Sequence, residues 1–234
     1  MRMEKIAVSR LIPKDFRTSE ALKTLRTNLM FSGPNVKAVG ITSYGAAEGK
    51  STVSLQTAMA LAQTGKRVLL VDADLRRSVL AARLRVKNKL EGLSHYLCGQ
   101  ANASELIRET DLPGFYIMFS GTRVPNSAEL LGSDNFAKLI PALKDTFDYV
   151  VVDTAPLGQV IDCAVIAPVL DGVVMVVDAT HNSYKLERRI KAQIEKGGGK
   201  VLGAVLNQVD LAERRGYYGR YYYNYYASDD KNDK

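Results

Sequence analysis

From residue 36 onward the chain alternates short apolar runs with longer stretches of helical periodicity. VKAVGITS (36–43), RVLLVDAD (67–74), FYIMFSG (115–121), FDYVVVDTAP (147–156), GVVMVVDAT (172–180) and KVLGAVLNQVD (200–210) read as strands. KSTVSLQTAMALAQTG (50–65) reads as a helix that ends at Gly65, and further helices are predicted near 92–108, 127–146, 160–168 and 183–196. The strand runs are Val, Ile and Leu without polar alternation, as expected where both faces of a sheet are covered by helices. Strands of this kind, separated by helices, predict an α/β domain over 36–210 with a parallel sheet and right-handed crossovers.

Both ends depart from this rhythm. Within an N-terminal arm of residues 1–35, TSEALKTLRTNLMF (18–31) predicts an amphipathic helix. Leu22, Leu25 and Leu29 share one stripe, and Glu20, Lys23 and Arg26 step by three along another. The segment 211–234 contains ERRGYYGRYYYNYYASDDKNDK, which has no large aliphatic residue to build a core and predicts a flexible tail. Seven of the twelve tyrosines, Tyr217, Tyr218, Tyr221, Tyr222, Tyr223, Tyr225 and Tyr226, fall within ten residues of it.

Charge changes the picture at the N-terminus. The net charge of the 234-residue chain is +7, and residues 1–37 carry eight basic against three acidic side chains. A basic arm suits nucleic acid, an anionic membrane, an acidic protein or plain solvent. No run approaches the ~18 apolar residues of a membrane span and no secretory leader is visible, so a cytoplasmic location is expected. Cys98 and Cys163 lack metal-type spacing and read as reduced packing residues, and His95 and His181 have no visible catalytic partner.

Three segments carry chemistry, each at a strand end. SYGAAEGKST (43–52) lies between a strand and a helix, where backbone N–H groups can surround a phosphate, Lys50 can reach the β- and γ-phosphates and Ser51 can ligate Mg²⁺. The first glycine of the usual spacing is replaced by Tyr44, with Gly45 one residue later. DADLR (72–76) places Asp72 and Asp74 two positions apart, on one side if the strand continues through both, and such a carboxylate pair calls for a cation. VVVDTAP (150–156) ends on Asp153, which can orient a metal or its water. In order along the chain, the three predict nucleotide binding.

Together these segments resemble the bacterial tyrosine kinases (BY-kinases) of the capsule and exopolysaccharide family, in their cytoplasmic Gram-positive form. The loop 43–52 is similar to the family's Walker A motif, DADLR to its Walker A′ and VVVDTAP to its Walker B. GTRVPNSAELLGS (121–133) resembles the Pro-Asn stretch before a Glu-Leu-Leu helix, and EALKTLRTN (20–28) resembles the oligomerisation helix, whose charged positions fall on Glu20, Lys23 and Arg26. Two departures stand out: Lys23 replaces the usual Arg, and Ala46 and Ala47 replace the Pro-Gly before the loop's Glu.

The resemblance implies a three-layer P-loop NTPase fold like that of the partitioning and division-site ATPases MinD and ParA (the SIMIBI class). It implies ATP and Mg²⁺ as cofactors, with the nucleotide held by Gly45, Ala46, Ala47, Glu48, Gly49, Lys50, Ser51 and Thr52, and with Ser51, Asp72, Asp74 and Asp153 in the metal shell. Catalysis would rest on Lys50, Asp72, Asp74, Arg76 and Asp153, with Asp72 or Asp74 accepting the tyrosine proton. The tyrosine cluster would be the autophosphorylation site, modified in trans within a ring of subunits. Each phosphate adds ~−1.5 to −2 charge, so full modification shifts the tail by roughly −10 to −14. The implied partners are a transmembrane polysaccharide co-polymerase adaptor, which activates the kinase and recruits it to the membrane's inner face, and a protein-tyrosine phosphatase; nucleic acid is not expected. Asn207, in NQVD, is the candidate contact for adenine, because Gln208 stands where a guanine-reading element has Lys. The rival readings are a MinD-like ATPase without kinase activity and a nucleotide-switched regulator whose Arg-Tyr tail binds single strands.

Overall fold

A computed structural model of the chain describes residues 5–86, 90–180 and 183–209. The tyrosine cluster, Asp210 and His181 lie outside the described residues. The elements run α1 (Phe16–Phe31), β1 (Ala38–Ser43), α2 (Lys50–Ala62), β2 (Val68–Asp72), α3 (Leu80–Arg83), α4 (Leu93–Leu97), α5 (Ala103–Leu106), β3 (Ile107–Glu109) and β4 (Phe115–Met118). They continue with α6 (Ser127–Leu131), α7 (Asp134–Thr146), β5 (Tyr149–Asp153), α8 (Asp162–Ile166), β6 (Gly172–Asp178), α9 (Tyr184–Lys196) and β7 (Val201–Asn207).

The strands form one sheet in the order β3-β4-β2-β5-β1-β6-β7, parallel throughout except for the edge strand β3, which pairs antiparallel with β4. Alternation along the strands serves two cores, as continuous apolar runs require. Val39, Ile41, Leu70 and Val151 point toward α2, while Ala38, Leu69, Val71, Val150 and Val152 face Phe136, Leu139, Ile140 and Leu143 of α7. A third cluster joins β6 to α8 and α9 through Val173, Met175, Ile190 and Ile194.

Three segments differ from the sequence expectation, each for a local reason. The helix expected at 92–108 is interrupted at Gly99 (φ 71°), so α4 and α5 are short and the chain then turns into β3. The helix expected at 127–146 breaks at Gly132, and Ser133 starts α7 afresh. The strand expected through residue 74 stops at Asp72, so Asp74 is positioned by a loop instead. Cys163 is buried as expected, whereas Cys98 is exposed and has no packing role. Among the described residues no helix is long and apolar enough to cross a membrane.

α1 is longer than its expected span by two residues and docks Leu29 into the α2-side core. Its charged stripe splits between two jobs: Lys23 pairs with Glu20 at 2.6 Å, and the Arg26 guanidinium donates to the Ala60 carbonyl of α2. Met30 and Phe31 remain exposed, Phe31 at 82%.

The arm before α1 covers the β3 edge. Ile6 bridges Thr110, and the Asp111 carboxylate accepts from the backbone N–H groups of Val8 (2.8 Å) and Ser9 (3.0 Å) and from the Ser9 hydroxyl. Asp111→Ala removes all three bonds and is expected to lower stability by ~1–2 kcal/mol. A reduced urea midpoint together with faster trypsin cleavage at Arg10 checks this.

Candidate active site

The phosphate loop is built by its own side chains and braced by the last strand. After β1, the Glu48 carboxylate turns back and accepts from the N–H groups of Gly45 (2.8 Å) and Tyr44 (3.2 Å), while the Ser43 hydroxyl donates to the Gly45 carbonyl. Ala47 sits at φ 64° and Gly49 at φ 92°, so the chain makes two left-handed steps before α2 begins at Lys50. The Asn207 amide donates to the Glu48 carbonyl at 2.9 Å and the Gln208 amide to that of Ala47 at 2.9 Å. A Cβ at position 49 would lie 2.1 Å from the Asn207 amide nitrogen, which adds a steric reason for glycine to the dihedral one. At the start of α2 the first N–H groups have no intrahelical acceptor, and they are the donors an anion needs.

At the strand ends above this loop, carboxylates outnumber cations. The Lys50 ammonium lies 3.3 Å from Asp74, 3.6 Å from Asp153 and 3.1 Å from the Ser51 hydroxyl. Asp72 and Asp153 are paired neighbours across β2 and β5, both buried. Burial, reinforced by Asp153, pushes the Asp72 carboxyl up to about 7, against the opposing pull of the Ser78 hydroxyl and Lys50. Asp153 is also raised by burial, and Lys50 and the hydroxyls of Ser51 and Ser54 counter this. Ser54 donates to Asp153 at 3.0 Å from within α2. Asp74 Oδ1 accepts the backbone N–H groups of Arg77 (2.9 Å) and Arg76 (3.3 Å), which fixes the loop after β2.

The structure therefore brings together Lys50, Ser51, Asp72, Asp74 and Asp153, and it moves three other expected residues outward. Arg76 makes a fork on Asp162 (3.0 and 3.2 Å), a fully buried carboxylate that also accepts from Ser127 at 2.6 Å, and reaches the Pro125 carbonyl. It ties the loop after β2 to α8 and α6 rather than pointing into the phosphate site. Thr52 is bonded by the Arg83 guanidinium of α3, and Asn207 has its amide nitrogen committed to the loop. The sequence reading missed Ser54, Ser78, Asp162, Ser127 and Arg83. Ser127 lay inside the Pro-Asn segment, and Ser54 and Ser78 each lay two residues past a recognised motif, whereas Asp162 and Arg83 lay next to none. Glu187 of α9 was missed as well: both its oxygens are buried without a hydrogen-bond partner among the described residues, and burial with the nearby Glu48 raises it to about 6.

Beside Asp74 a cleft of about 560 Å³ opens between the loops that follow β2, β4 and β5. Among the described residues no three His, Cys, Asp or Glu groups enclose a metal ion by themselves. Mg²⁺ takes one or two carboxylates and completes its shell with substrate phosphates and water. The donors present, a serine hydroxyl and carboxylates, are hard oxygen ligands, and the excess of negative charge around Lys50 provides the attraction.

Ala47 bears the cost of a left-handed backbone, so Ala47→Gly is expected to raise stability by ~0.5–1 kcal/mol in urea denaturation, while Ala46→Gly, outside that region, lowers it. The raised carboxyl of Asp72 binds its proton more tightly in the folded than in the unfolded chain. Its contribution is thus fully present below about pH 4 and lost as pH rises to about 7. Asp72→Asn should remove this decline, leaving the variant more stable than the parent at pH 8 without ligand; the difference between their thermal midpoints across pH 4–8 measures it.

Residues 37–196 match a family model described as an AAA domain, which takes in the loop and all three strand-end acids. The tyrosine-protein kinase CpsD of Streptococcus agalactiae is 40% identical over 206 residues, covering 88% of this chain and 90% of that protein. A solved structure described as the chimerical protein CapA2B2 superposes with a TM-score of 0.79 at 32% identity, covering 88% of this chain and 92% of that one. The septum site-determining protein MinD from Pyrococcus horikoshii, solved with Mg-ADP, superposes at 0.63 with 24% identity over 76% of this chain and 72% of that one, and shows a shared fold alone. With a nucleotide-binding loop on this sheet and curated relatives of this similarity over nearly their full length, the chain belongs to the bacterial tyrosine-protein kinases.

Proposed function

We propose that this chain is an ATP-dependent protein-tyrosine autokinase that modifies its own C-terminal tyrosine cluster between subunits and thereby regulates capsular or exopolysaccharide synthesis and export. The observation that carries this reading is the position of Asp74. It touches the Lys50 ammonium at 3.3 Å on one side and lines an open cleft, wide enough for an aromatic side chain, on the other.

The loop amides and Lys50 would hold the phosphates of ATP, with Asn207 offering its side-chain carbonyl to the adenine amino group. Mg²⁺, held by Ser51 and the strand-end carboxylates, would neutralise phosphate charge when bound. A tyrosine hydroxyl entering through the cleft meets Asp74 first. In the transfer, the tyrosine oxygen forms a bond to the γ-phosphorus, the bond from phosphorus to the β,γ-bridging oxygen breaks, the phenolic proton passes to Asp74, and ADP leaves. Asp74 is favoured as the base over Asp72 because geometry precedes basicity: Asp72 is buried behind it, bonded by Ser78. Asp72 and Asp153 then maintain the field around Lys50, and Arg76 holds the rim in place through Asp162.

Assembly and activation rest on family membership. Glu20, Lys23 and Arg26 of α1 are proposed at a subunit contact of a ring, with exposed Met30 and Phe31 beside them. A transmembrane adaptor would recruit the chain to the membrane's inner face and activate it, and a tyrosine phosphatase would reset it.

Intact-mass measurement of the full chain after Mg²⁺ and ATP tests the proposal. Several additions of phosphate are expected, absent in Lys50→Met and in a truncation ending at Arg215, with a gain when an adaptor's cytoplasmic peptide is present. ADP release with no protein phosphorylation, even with that peptide, would replace the kinase reading by a MinD-like ATPase.

A further inference from the structure

The cleft beside Asp74 contains more positive charge than an unmodified tyrosine needs. Three arginines line it, Arg76, Arg77 and Arg123, and Arg76 is committed through its fork on Asp162. Arg77 uses its backbone N–H on Asp74, but its guanidinium, like that of Arg123, makes no hydrogen bond or ion pair among the described residues. The acid facing them, Asp74, already has Lys50 as its partner. Val124, Pro156 and Val160 give the same cleft an apolar lining, with Gln159 as its uncharged polar member. An open cleft that combines apolar lining with two such guanidiniums is complementary to an aromatic ring that ends in a dianion. Neutral tyrosine satisfies only the walls, whereas phosphotyrosine also gives each guanidinium an oxygen pair to grip.

The sequence supplies such a group in an unusual arrangement. Tyr217-Tyr218, Tyr221-Tyr222-Tyr223 and Tyr225-Tyr226 are runs in which each tyrosine has another as its immediate neighbour. One residue advances an extended chain by at most ~3.6 Å, so a phosphotyrosine held in the cleft that Asp74 lines keeps an unmodified tyrosine within one or two residues, and a rotation of the chain about the anchored residue turns it toward Asp74. We propose that Arg77 and Arg123 form a phosphotyrosine subsite that retains the tail of a second copy after its first phosphorylation and presents the adjacent tyrosine for the next. Phosphorylation of the cluster is then self-reinforcing: each transfer adds ~−1.5 to −2 charge to a strand of chain lying against uncommitted cations. This deepens the autokinase reading and rests on it for the identity of the occupant, but the subsite itself is a matter of binding and needs no turnover.

The test is fluorescence anisotropy of a labelled peptide spanning residues 213–228, unmodified or phosphorylated at Tyr222, titrated with the full chain. The phosphorylated peptide is expected to bind at least ~10-fold more tightly, the preference falling to within ~2-fold in Arg77→Ala/Arg123→Ala and being partly kept in Arg77→Lys/Arg123→Lys, whose ammonium groups lack the fork. Phenyl phosphate should displace the peptide at roughly one-tenth of the inorganic phosphate concentration or less, since the ring adds wall contacts. Equal binding of the two peptides, or a preference that survives the double alanine substitution with an unchanged melting temperature, would overturn the proposal. Equal displacement by inorganic phosphate would also overturn it, leaving an anion site without selectivity for tyrosine. Because binding is read without catalysis, phosphopeptide preference in a chain that adds no phosphate even with the adaptor's peptide would refute the kinase reading and support the subsite; autophosphorylation without the preference would do the reverse.

Discussion

Three buried carboxylates share one buried ammonium, and most of what surrounds the site follows from that imbalance. Asp72 and Asp153 are neighbours because β2 and β5 are neighbours in register, and Asp74 joins them because β2 stops two residues earlier. Water is excluded by the same packing that makes the strands continuous apolar runs, so the repulsion cannot be dissipated in solvent. The protein answers it locally, with Ser54 on Asp153, Ser78 on Asp72 and Lys50 reaching toward two acids at once. None of these cancels the excess. What remains is a site whose unliganded form is electrostatically incomplete, ready for a cation and a polyanion that arrive together.

The loop below is stabilised by a different logic, in which side chains from its own ends do what the usual loop residues would do. Glu48 closes the turn through two amides, and Asn207 and Gln208 hold two carbonyls from outside. Four hydrogen bonds of this kind explain how Ala47 tolerates a backbone conformation better suited to glycine. Where the family has Pro-Gly this loop has Ala46 and Ala47, and its shape is held by Glu48 from within the motif and by Asn207 and Gln208 from outside it.

Sequence reading succeeds here where the signal is local and fails where the partner is far away. The apolar runs located six of the seven strands and the motifs located Lys50, Ser51 and the three acids, because each depends on a short stretch of residues with one period. The edge strand β3 escaped because three residues are too few to show alternation, and the breaks at Gly99 and Gly132 sit inside stretches whose flanks are helical. Arg76 was found but its partner was not: Asp162 lies 86 residues away, and nothing around it marks it as the acid that will be buried against that guanidinium. Cys98 looked like a packing residue because cysteine usually is, yet it falls at the end of a short helix facing solvent.

The brace from the end of the domain has a consequence in time. Asn207 and Gln208 bond carbonyls 159 and 161 residues earlier in the chain. During synthesis the loop is made well before these supports. A nascent chain that has not yet reached residue 207 therefore contains every residue of all three motifs and the loop's own Glu48 bonds, but lacks the two hydrogen bonds that hold the Ala47 and Glu48 carbonyls from outside. The finished geometry of the loop waits for β7 to dock on β6.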